Sequence, residues 1–299
     1  YCGWNLLARL PEILESTGIT GRLFQIYDEK IKDSYADSVA IKLRENGWIV
    51  EQYGVTGGEK GKSLEQLAAL YDWMSSRKAE RQETVLALGG GVTTDLAGTL
   101  AATYLRGLPL IHIPTTLLGM SDAAIGGKVA IDLPAGKNLV GSFYQPRAVV
   151  ADVATLVTLP RRELSAGFAE VIKHAFIRDN AMLNELRSLA KTQPIITTDT
   201  DQKSRRRIVD LISRNMALKA NIVSVDERES NIRLLLNYGH TIGHAIEQAS
   251  GYSRYLHGEA VAIGLVGAAM IAERMGMIDK TLTLEHKNLL EMYDLPVCI

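Results

Sequence analysis

Short runs of β-branched and apolar residues alternate, in the first half of the chain, with segments whose apolar positions recur every three or four residues. These periods predict strands at residues 23–27, 48–53, 84–88 and 110–113, and helices at 34–45, 63–79 and 95–104. Alternation of strands and helices is typical of a parallel sheet with helices on both faces. The first half is therefore predicted to be an α/β domain.

After about residue 160 the helical period dominates. Helices are predicted at 161–177, 180–190, 204–224, 239–249 and 259–275, with a polar, threonine-rich loop at 191–200. We expect two domains, an α/β domain at 1–150 and an all-helical domain at 151–299.

Composition excludes several classes of protein. Of 299 residues, 46% are hydrophobic and 22% charged, as in ordinary soluble globular proteins. The net charge of −1 provides no basic surface for nucleic acid or anionic membranes. No apolar run reaches the roughly 18 residues of a membrane helix, and no signal peptide is recognisable. Cys2 and Cys298 form no metal-type pair, so a reducing cytoplasm is expected.

Two glycine-rich segments are candidates for binding phosphate. Gly89-Gly90-Gly91 follows a predicted strand and precedes a predicted helix, where backbone N–H groups can bind a pyrophosphate. Residues 57–62 form a second such segment. Lys128 and Lys137 are predicted in glycine-containing loops and suit an anionic substrate. Taken alone, each glycine-rich segment could instead be an ordinary tight turn, and each lysine an ordinary solvated surface residue.

A carboxylate and three histidines suggest metal chemistry. Glu170 lies one helical turn before Lys173, and His257 follows in a Leu-His-Gly-Glu segment that ends at Glu259. Imidazoles and one carboxylate are ligands of catalytic zinc with an open position. An exposed ion pair is the alternative for Glu170 and Lys173, although their apolar neighbours indicate burial.

His240 and His244 are spaced for one helix face, so spacing alone makes both of them ligands. The protein has six histidines, and His112, His174 and His286 are interpreted as structural.

Seven motifs in order, over about residues 23–296, resemble the 3-dehydroquinate synthase family. They are Gly89-Gly90-Gly91-Val92, Ile113-Pro114-Thr115-Thr116-Leu117-Leu118, Gly126-Gly127-Lys128, Gly136-Lys137-Asn138-Leu139, Ala169-Glu170-Val171-Ile172-Lys173, Leu236-Asn237-Tyr238-Gly239-His240 and Leu256-His257-Gly258-Glu259.

The resemblance implies a Rossmann-like NAD-binding domain and a helical metal- and substrate-binding domain. It also implies conversion of 3-deoxy-D-arabino-heptulosonate 7-phosphate to 3-dehydroquinate and phosphate in the shikimate pathway, by a cytoplasmic homodimer using NAD and Zn2+ or Co2+. Metal ligands by resemblance are Glu170, His240 and His257, and His244 is assigned to the substrate instead.

Further site residues follow from the same resemblance. Substrate positions are Asp122, Lys128, Asn138, Lys173, Lys219, Arg233, Asn237 and His244, with Arg106 reaching the partner subunit's site. NAD positions are Asp28, Gly58, Glu59, Lys62, Gly90, Gly91, Asp95, Thr115, Thr116, Lys128, Lys137, Thr155 and Thr158.

Three alternatives remain. Another sugar-phosphate cyclase would share the fold and metal ligands, although the glycine–lysine segments favour dehydroquinate synthase. A metal-dependent alcohol or glycerol dehydrogenase would release NADH. A non-catalytic module is the third, because the family continues beyond Pro296 with a lysine that reaches the substrate, and we expect this chain to be truncated there.

Overall fold

The structure is a computed structural model that describes residues 1–191 and 196–299. The chain divides into two compact units, Tyr1–Thr155 and Leu156–Ile299. The division falls after Thr155, and the hydrophobic pattern placed the boundary near residue 150.

The strands of the N-terminal unit are β1 (Cys2–Gly3), β2 (Leu23–Asp28), β3 (Val50–Val55), β4 (Thr84–Gly89), β5 (Leu110–Pro114), β6 (Lys128–Leu133), β7 (Gly136–Phe143), β8 (Ala148–Val149) and β9 (Ala151–Asp152). Five of them form a parallel sheet in the order β3-β2-β4-β5-β8. All four predicted strands lie in this sheet, although β3 begins two residues later than predicted. Strands β6 and β7 form an antiparallel hairpin, and β1 pairs with β9.

Side-chain alternation along β4 shows how the sheet is covered. Leu86 and Leu88 belong to one apolar cluster, together with residues of α1 (Leu10–Ser16) and α2 (Asp37–Glu45). Val85 and Ala87 belong to a second cluster with residues of α3 (Leu64–Ser76) and α4 (Gly91–Thr103). Successive strand residues point to opposite faces, so helices cover both faces of the sheet, as predicted.

Two expectations for this unit need correction, and one hairpin was not predicted. The helix predicted from residue 95 begins at Gly91, because Gly90 already takes the extended N-cap conformation directly after β4. Lys128 and Lys137 lie on β6 and β7 instead of in loops. The hairpin escaped prediction because most of β7 is exposed, so it carries no alternating apolar signal.

The C-terminal unit contains α5 (Arg161–Arg178), α6 (Asn180–Lys191), α7 (Gln202–Val225), α8 (His240–Ala249), α9 (His257–Arg274) and α10 (Lys280–Glu291). The five predicted helices correspond to α5–α9, and α10 was not predicted. Helix α9 begins two residues earlier than expected, because the Glu259 carboxylate accepts the backbone N–H of Leu256 at 2.8 Å and caps the helix. Part of the predicted loop at 191–200, residues 192–195, lies outside the described residues.

Among the helices that the structure describes, none combines the length and the apolar character needed to cross a bilayer.

Candidate metal centre and nucleotide-binding edge

Glycines bring three helices of the C-terminal unit into backbone contact. A Cβ atom at Gly258, on α9, would lie 1.9 Å from the carbonyl oxygen of Ala166 on α5. One at Gly264 would lie 2.0 Å from the carbonyl oxygen of Gly239, which precedes α8. Only glycine allows backbones to approach so closely. Glu170 lies one turn after Ala166, so these contacts draw the start of α8 and of α9 toward its carboxylate.

Glu170, His240 and His257 form a compact group at this meeting point. The Oε1 atom of Glu170 lies 3.5 Å from Nε2 of His240 and 3.7 Å from Nε2 of His257. One ligand atom from each residue lies within 4.8 Å of the other two. Two ligands of a tetrahedral zinc ion lie about 3.3 Å apart when each bond is about 2.0 Å. The spacing therefore fits a small metal ion.

The far nitrogen of each imidazole is held by an acceptor. Nδ1 of His240 lies 3.3 Å from the backbone oxygen of Tyr238, and Nδ1 of His257 lies 3.2 Å from Oε2 of Glu247. A carbonyl or carboxylate oxygen accepts a hydrogen bond, so Nδ1 of each ring carries a proton and Nε2 is the nitrogen that faces Glu170. This arrangement is the usual support of a metal-binding histidine.

Charge at the group also favours a cation. Glu170 is fully buried, and its Oε1 accepts no hydrogen bond from any residue the structure describes. Burial alone would raise the pKa of Glu170, but Lys173, followed by His240 and His257, outweighs it and holds the pKa well below its ordinary value. Burial alone would lower the pKa of His257, but Glu170 and Glu247 raise it to about 10. At this pKa the ring of His257 carries a second proton, on Nε2 beside Glu170. A divalent ion can take the place of that proton, so the residues present fit a metal.

His244 lies beside this group but is exposed. Its ring centroid is 5.2 Å from that of His240 and 5.9 Å from that of His257. It shares a second possible ligand group with Glu247 and His257, although Glu247 already contacts Nδ1 of His257. The three predicted histidines are thus brought together, and the buried carboxylate faces His240 and His257.

Other predicted substrate residues of this unit differ in exposure. Lys173 pairs with Glu170 and is 1% exposed, while Lys219 and Arg233 are 6% and 2% exposed. Asn237 is exposed, and its amide donates to Oε1 of Glu229 at 2.7 Å. Positively charged side chains bind phosphate and carboxylate groups, so Lys173, Lys219 and Arg233 are candidates for holding an anionic substrate.

Asp226 organises the loop that carries Arg233. Its carboxylate accepts the backbone N–H groups of Ser230 at 2.9 Å, Asn231 at 2.7 Å and Arg233 at 3.0 Å. These hydrogen bonds, with that of Ser230 the largest contribution, lower the pKa of Asp226 to about 2. Sequence reasoning missed this residue, since an aspartate at the end of a helix has many ordinary roles.

In the N-terminal unit the candidate nucleotide residues follow neighbouring strands. Asp28 ends β2, Gly58 follows β3, Gly90 follows β4 and Thr115 follows β5. Because these strands are parallel neighbours, all four positions lie at one edge of the sheet. Ligands of open α/β sheets bind outside this edge.

The turns at this edge are tightly packed. A Cβ atom at Gly57 would lie 2.2 Å from Oδ2 of Asp28, and one at Gly90 would lie 3.1 Å from Cγ2 of Thr116. Gly58 has a φ of +82°. Gly91 opens helix α4, whose N-terminus supplies N–H donors.

Lys62, Asp95 and Asn138 form a cluster in the same unit. The Lys62 ammonium contacts both the Asp95 carboxylate and the Asn138 amide oxygen. Burial raises the pKa of Asp95 to about 6, with Lys62 opposing the shift. Glu59 and Asp122 add weaker charge repulsion, and Lys62 is therefore the main stabiliser of the carboxylate.

The remaining candidates are placed as follows. Lys137 pairs with Glu59 at 3.2 Å. The Thr155 hydroxyl donates to the backbone oxygen of Asp152 at 2.8 Å. Lys128 and Arg106 are exposed, Asp122 is half-buried, and Thr158 belongs to the C-terminal unit.

We expect Lys62→Met to lower the free energy of unfolding by about 3 kcal/mol at about pH 8, because it leaves the carboxylate of Asp95, which is only 17% exposed, unpaired. Without Lys62 the pKa of Asp95 in the folded state rises further above the ordinary value of 3.8. The folded state then keeps a proton that the unfolded state has lost, so stability falls as pH rises between the two pKa values. Denaturant unfolding should show a smaller loss at about pH 5. Lys60→Met, an exposed change in the same turn, is the control, and equal losses at both pH values would contradict the prediction.

Two supporting residues of the metal group were missed by sequence reasoning. Glu247 is 4% exposed and lies two turns after His240 on α8, so helical period could have placed it on the same face. Tyr238 acts through its backbone oxygen, for which a sequence carries no side-chain signal.

Comparisons with known proteins agree along the whole chain. Residues 52–166 match the family model for the 3-dehydroquinate synthase N-terminal region, and residues 167–299 match that for the C-terminal region. The 3-dehydroquinate synthase of Symbiobacterium thermophilum is 43% identical over 301 aligned positions, covering 100% of this chain and 82% of that protein.

Solved structures of sugar-phosphate cyclases are similar to the chain. The 2-epi-5-epi-valiolone synthase of Streptomyces hygroscopicus subsp. jinggangensis 5008, with NAD+ and Zn2+ bound, has a TM-score of 0.89 and 26% identity, covering 99% of this chain and 80% of that one. A 2-deoxy-scyllo-inosose synthase in complex with carbaglucose-6-phosphate, NAD+ and Co2+ has a TM-score of 0.84 and 33% identity, covering 97% of this chain and 78% of that one. On the strength of both family models and of the 43% identity across the full chain, this protein belongs to the 3-dehydroquinate synthase family.

Proposed function

We propose that this chain is a lyase that converts 3-deoxy-D-arabino-heptulosonate 7-phosphate to 3-dehydroquinate and phosphate, with NAD and Zn2+ or Co2+ as cofactors. The observation that carries the proposal is the buried Glu170 carboxylate facing two imidazoles whose Nδ1 atoms are each held by an acceptor. Family membership supports the choice of reaction, in which oxidation, phosphate elimination, reduction and aldol closure follow one another.

The C-terminal unit would bind the metal and the anionic substrate. Glu170, His240 and His257 are the proposed ligands, and a bound divalent ion supplies Lewis acidity that favours the alkoxide at the hydroxyl to be oxidised. The buried cations Lys219 and Arg233 neutralise the phosphate and carboxylate. Exposed His244 beside the ligands is assigned to the substrate, together with Asn237.

Lys173 has a second task in this proposal. Its ammonium pairs with the Glu170 carboxylate, and both side chains are buried. The pair keeps Glu170 ionised, as the lowered pKa of Glu170 indicates. An ionised carboxylate is the form that binds a metal ion.

The N-terminal unit would bind NAD at the carboxyl edge of its sheet. In this proposal Asp28, at the end of β2, accepts hydrogen bonds from the ribose hydroxyls, and the N-terminus of α4 at Gly90 and Gly91 binds the pyrophosphate. Lys62, Asp95 and Lys137 form the charged part of this edge. Because the hydride returns to the substrate within each turnover, this unit must hold the cofactor rather than exchange it.

Assembly and location are part of the proposal. We assign a homodimer in which the exposed Arg106 reaches the partner's site, and a cytoplasmic location. The substrate residues Asp122, Lys128 and Asn138 are assigned to the N-terminal unit.

Phosphate release from the heptulosonate phosphate, in the presence of NAD and zinc, tests this function. We expect release that stops after treatment with a chelator and returns when zinc is added, with no accumulation of NADH. Accumulating NADH would indicate a dehydrogenase instead. Release from another sugar phosphate, but not from this one, would indicate a different cyclase, and zinc binding without turnover of any of these substrates would indicate a non-catalytic module.

A further inference from the structure

His286, on the last helix α10, is held in a defined orientation. It is 3% exposed, and its ring stacks on that of Phe176, on α5, with centroids 3.6 Å apart and planes 11° from parallel. Nδ1 lies 2.8 Å from the backbone oxygen of Leu282 one turn earlier. A carbonyl oxygen only accepts, so Nδ1 carries the proton and Nε2 of the neutral ring is an acceptor.

That acceptor meets the hydroxyl group of Tyr238. The Tyr238 oxygen lies 3.0 Å from Nε2 of His286, and the two rings meet edge to face at 83°. Because Nε2 has no proton to give, the tyrosine hydroxyl donates. The hydrogen bond ties the segment before α8 to α10.

Tyr238 is also bound at its backbone. Its carbonyl oxygen accepts from Nδ1 of His240, one of the proposed metal ligands. Gly239, between the two residues, has a φ of +79° and lacks a side chain that would limit rotation. The backbone on either side of this carbonyl is held by hydrogen bonds from Tyr238 N–H to the Leu235 oxygen and from Gly243 N–H to the Gly239 oxygen. The tyrosine side chain is a further anchor of the same peptide group.

We propose that Tyr238 and His286 are positioning residues for the metal site, which set the ring orientation of His240 through the Tyr238 carbonyl. The proposal rests on the metal site of the proposed function. His286 thus serves metal binding in addition to packing, and α10 is part of the support of the metal centre.

Zinc affinity, measured by chelator competition on the full chain, tests this role. Tyr238→Phe removes only the hydroxyl, and we expect zinc to bind about tenfold more weakly, at the low end of the effect of outer-shell partners. His286→Leu should act similarly, while His286→Gln, whose amide oxygen can accept the tyrosine proton, should recover most of the loss. The double variant, Tyr238→Phe with His286→Leu, should lose no more zinc affinity than the single variant with the larger loss, because both changes remove the same hydrogen bond.

Tyr293→Phe is the matched control. The Tyr293 hydroxyl donates to the backbone oxygen of Leu186 at 2.9 Å, and the side chain is buried in the same unit. It should lower thermal stability about as much as Tyr238→Phe and leave zinc affinity unchanged. The d–d absorption spectrum of the Co2+ form should change for Tyr238→Phe and His286→Leu, and should stay close to that of the unmodified chain for His286→Gln and Tyr293→Phe.

Equal zinc affinities for Tyr238→Phe, Tyr293→Phe and the unmodified chain would overturn the proposal and leave the metal site intact. Additive losses in the double variant would overturn it as well. If the unmodified chain binds no zinc, the proposed function and this inference fail together.

Discussion

Glu170→Gln should abolish zinc binding and reduce kcat/KM for phosphate release by about a thousandfold or more. The carboxylate is the anionic member of the proposed ligand set, and its oxygen faces both imidazoles. Lewis-acid stabilisation by a metal contributes several kcal/mol, and each 1.36 kcal/mol corresponds to about tenfold in rate. The change also leaves the buried Lys173 ammonium without its anion, so the free energy of unfolding should fall by about 3–5 kcal/mol.

Zinc content after dialysis, phosphate release and thermal unfolding measure these effects. Glu163→Gln is the matched control, because Glu163 lies on the same helix and is exposed. It should leave all three properties unchanged. Full activity of a folded Glu170→Gln variant would show that the metal, or the assignment of its ligands, is wrong.

Gly264→Ala should lower the free energy of unfolding by about 3 kcal/mol or more and weaken zinc binding. Its Cβ atom would lie 2.0 Å from the carbonyl oxygen of Gly239 and 2.9 Å from the nitrogen of Gly243. Both are backbone atoms, so no side-chain rotation can relieve the clash. Helices α8 and α9 would have to separate, and His240 on α8 would move away from His257 on α9.

Gly267→Ala, one turn later on α9, gives the comparison. Its Cβ atom would lie 2.8 Å from Cδ1 of Ile242, the flexible end of a side chain. Alanine favours a helix by about 1 kcal/mol over glycine, so stability should change by no more than about 1 kcal/mol and zinc affinity should stay the same. Denaturant unfolding and chelator competition measure the stability and the zinc affinity of both variants. Equal losses in the two variants would show that the close contact between α8 and α9 is not what makes Gly264 necessary.

The arrangement of β4 illustrates what periodicity could predict. Its four consecutive apolar residues, which end at a run of three glycines, mark a strand buried on both faces, and the helical periods around it imply covering helices. Strand β7 could not be predicted in the same way, because its exposed side chains follow no period of two. A period of two in apolar residues arises where one face of a strand is buried, so an exposed strand has almost no such pattern.

By itself, the sequence determined the α/β and helical halves, the turns after parallel strands, and the types of residue available for metal and phosphate. Which of these residues meet in space is a property of the tertiary structure. Spacing favoured His240 and His244 as a pair, and the family resemblance assigned Glu170, His240 and His257 instead. In the structure the buried carboxylate of Glu170 faces His240 and His257, which lie on separate helices. The physical reason is that helical periodicity relates only residues that are close in sequence, within one helix. Contacts between elements depend on side-chain volume and backbone approach, here the glycines against Ala166 and Gly239.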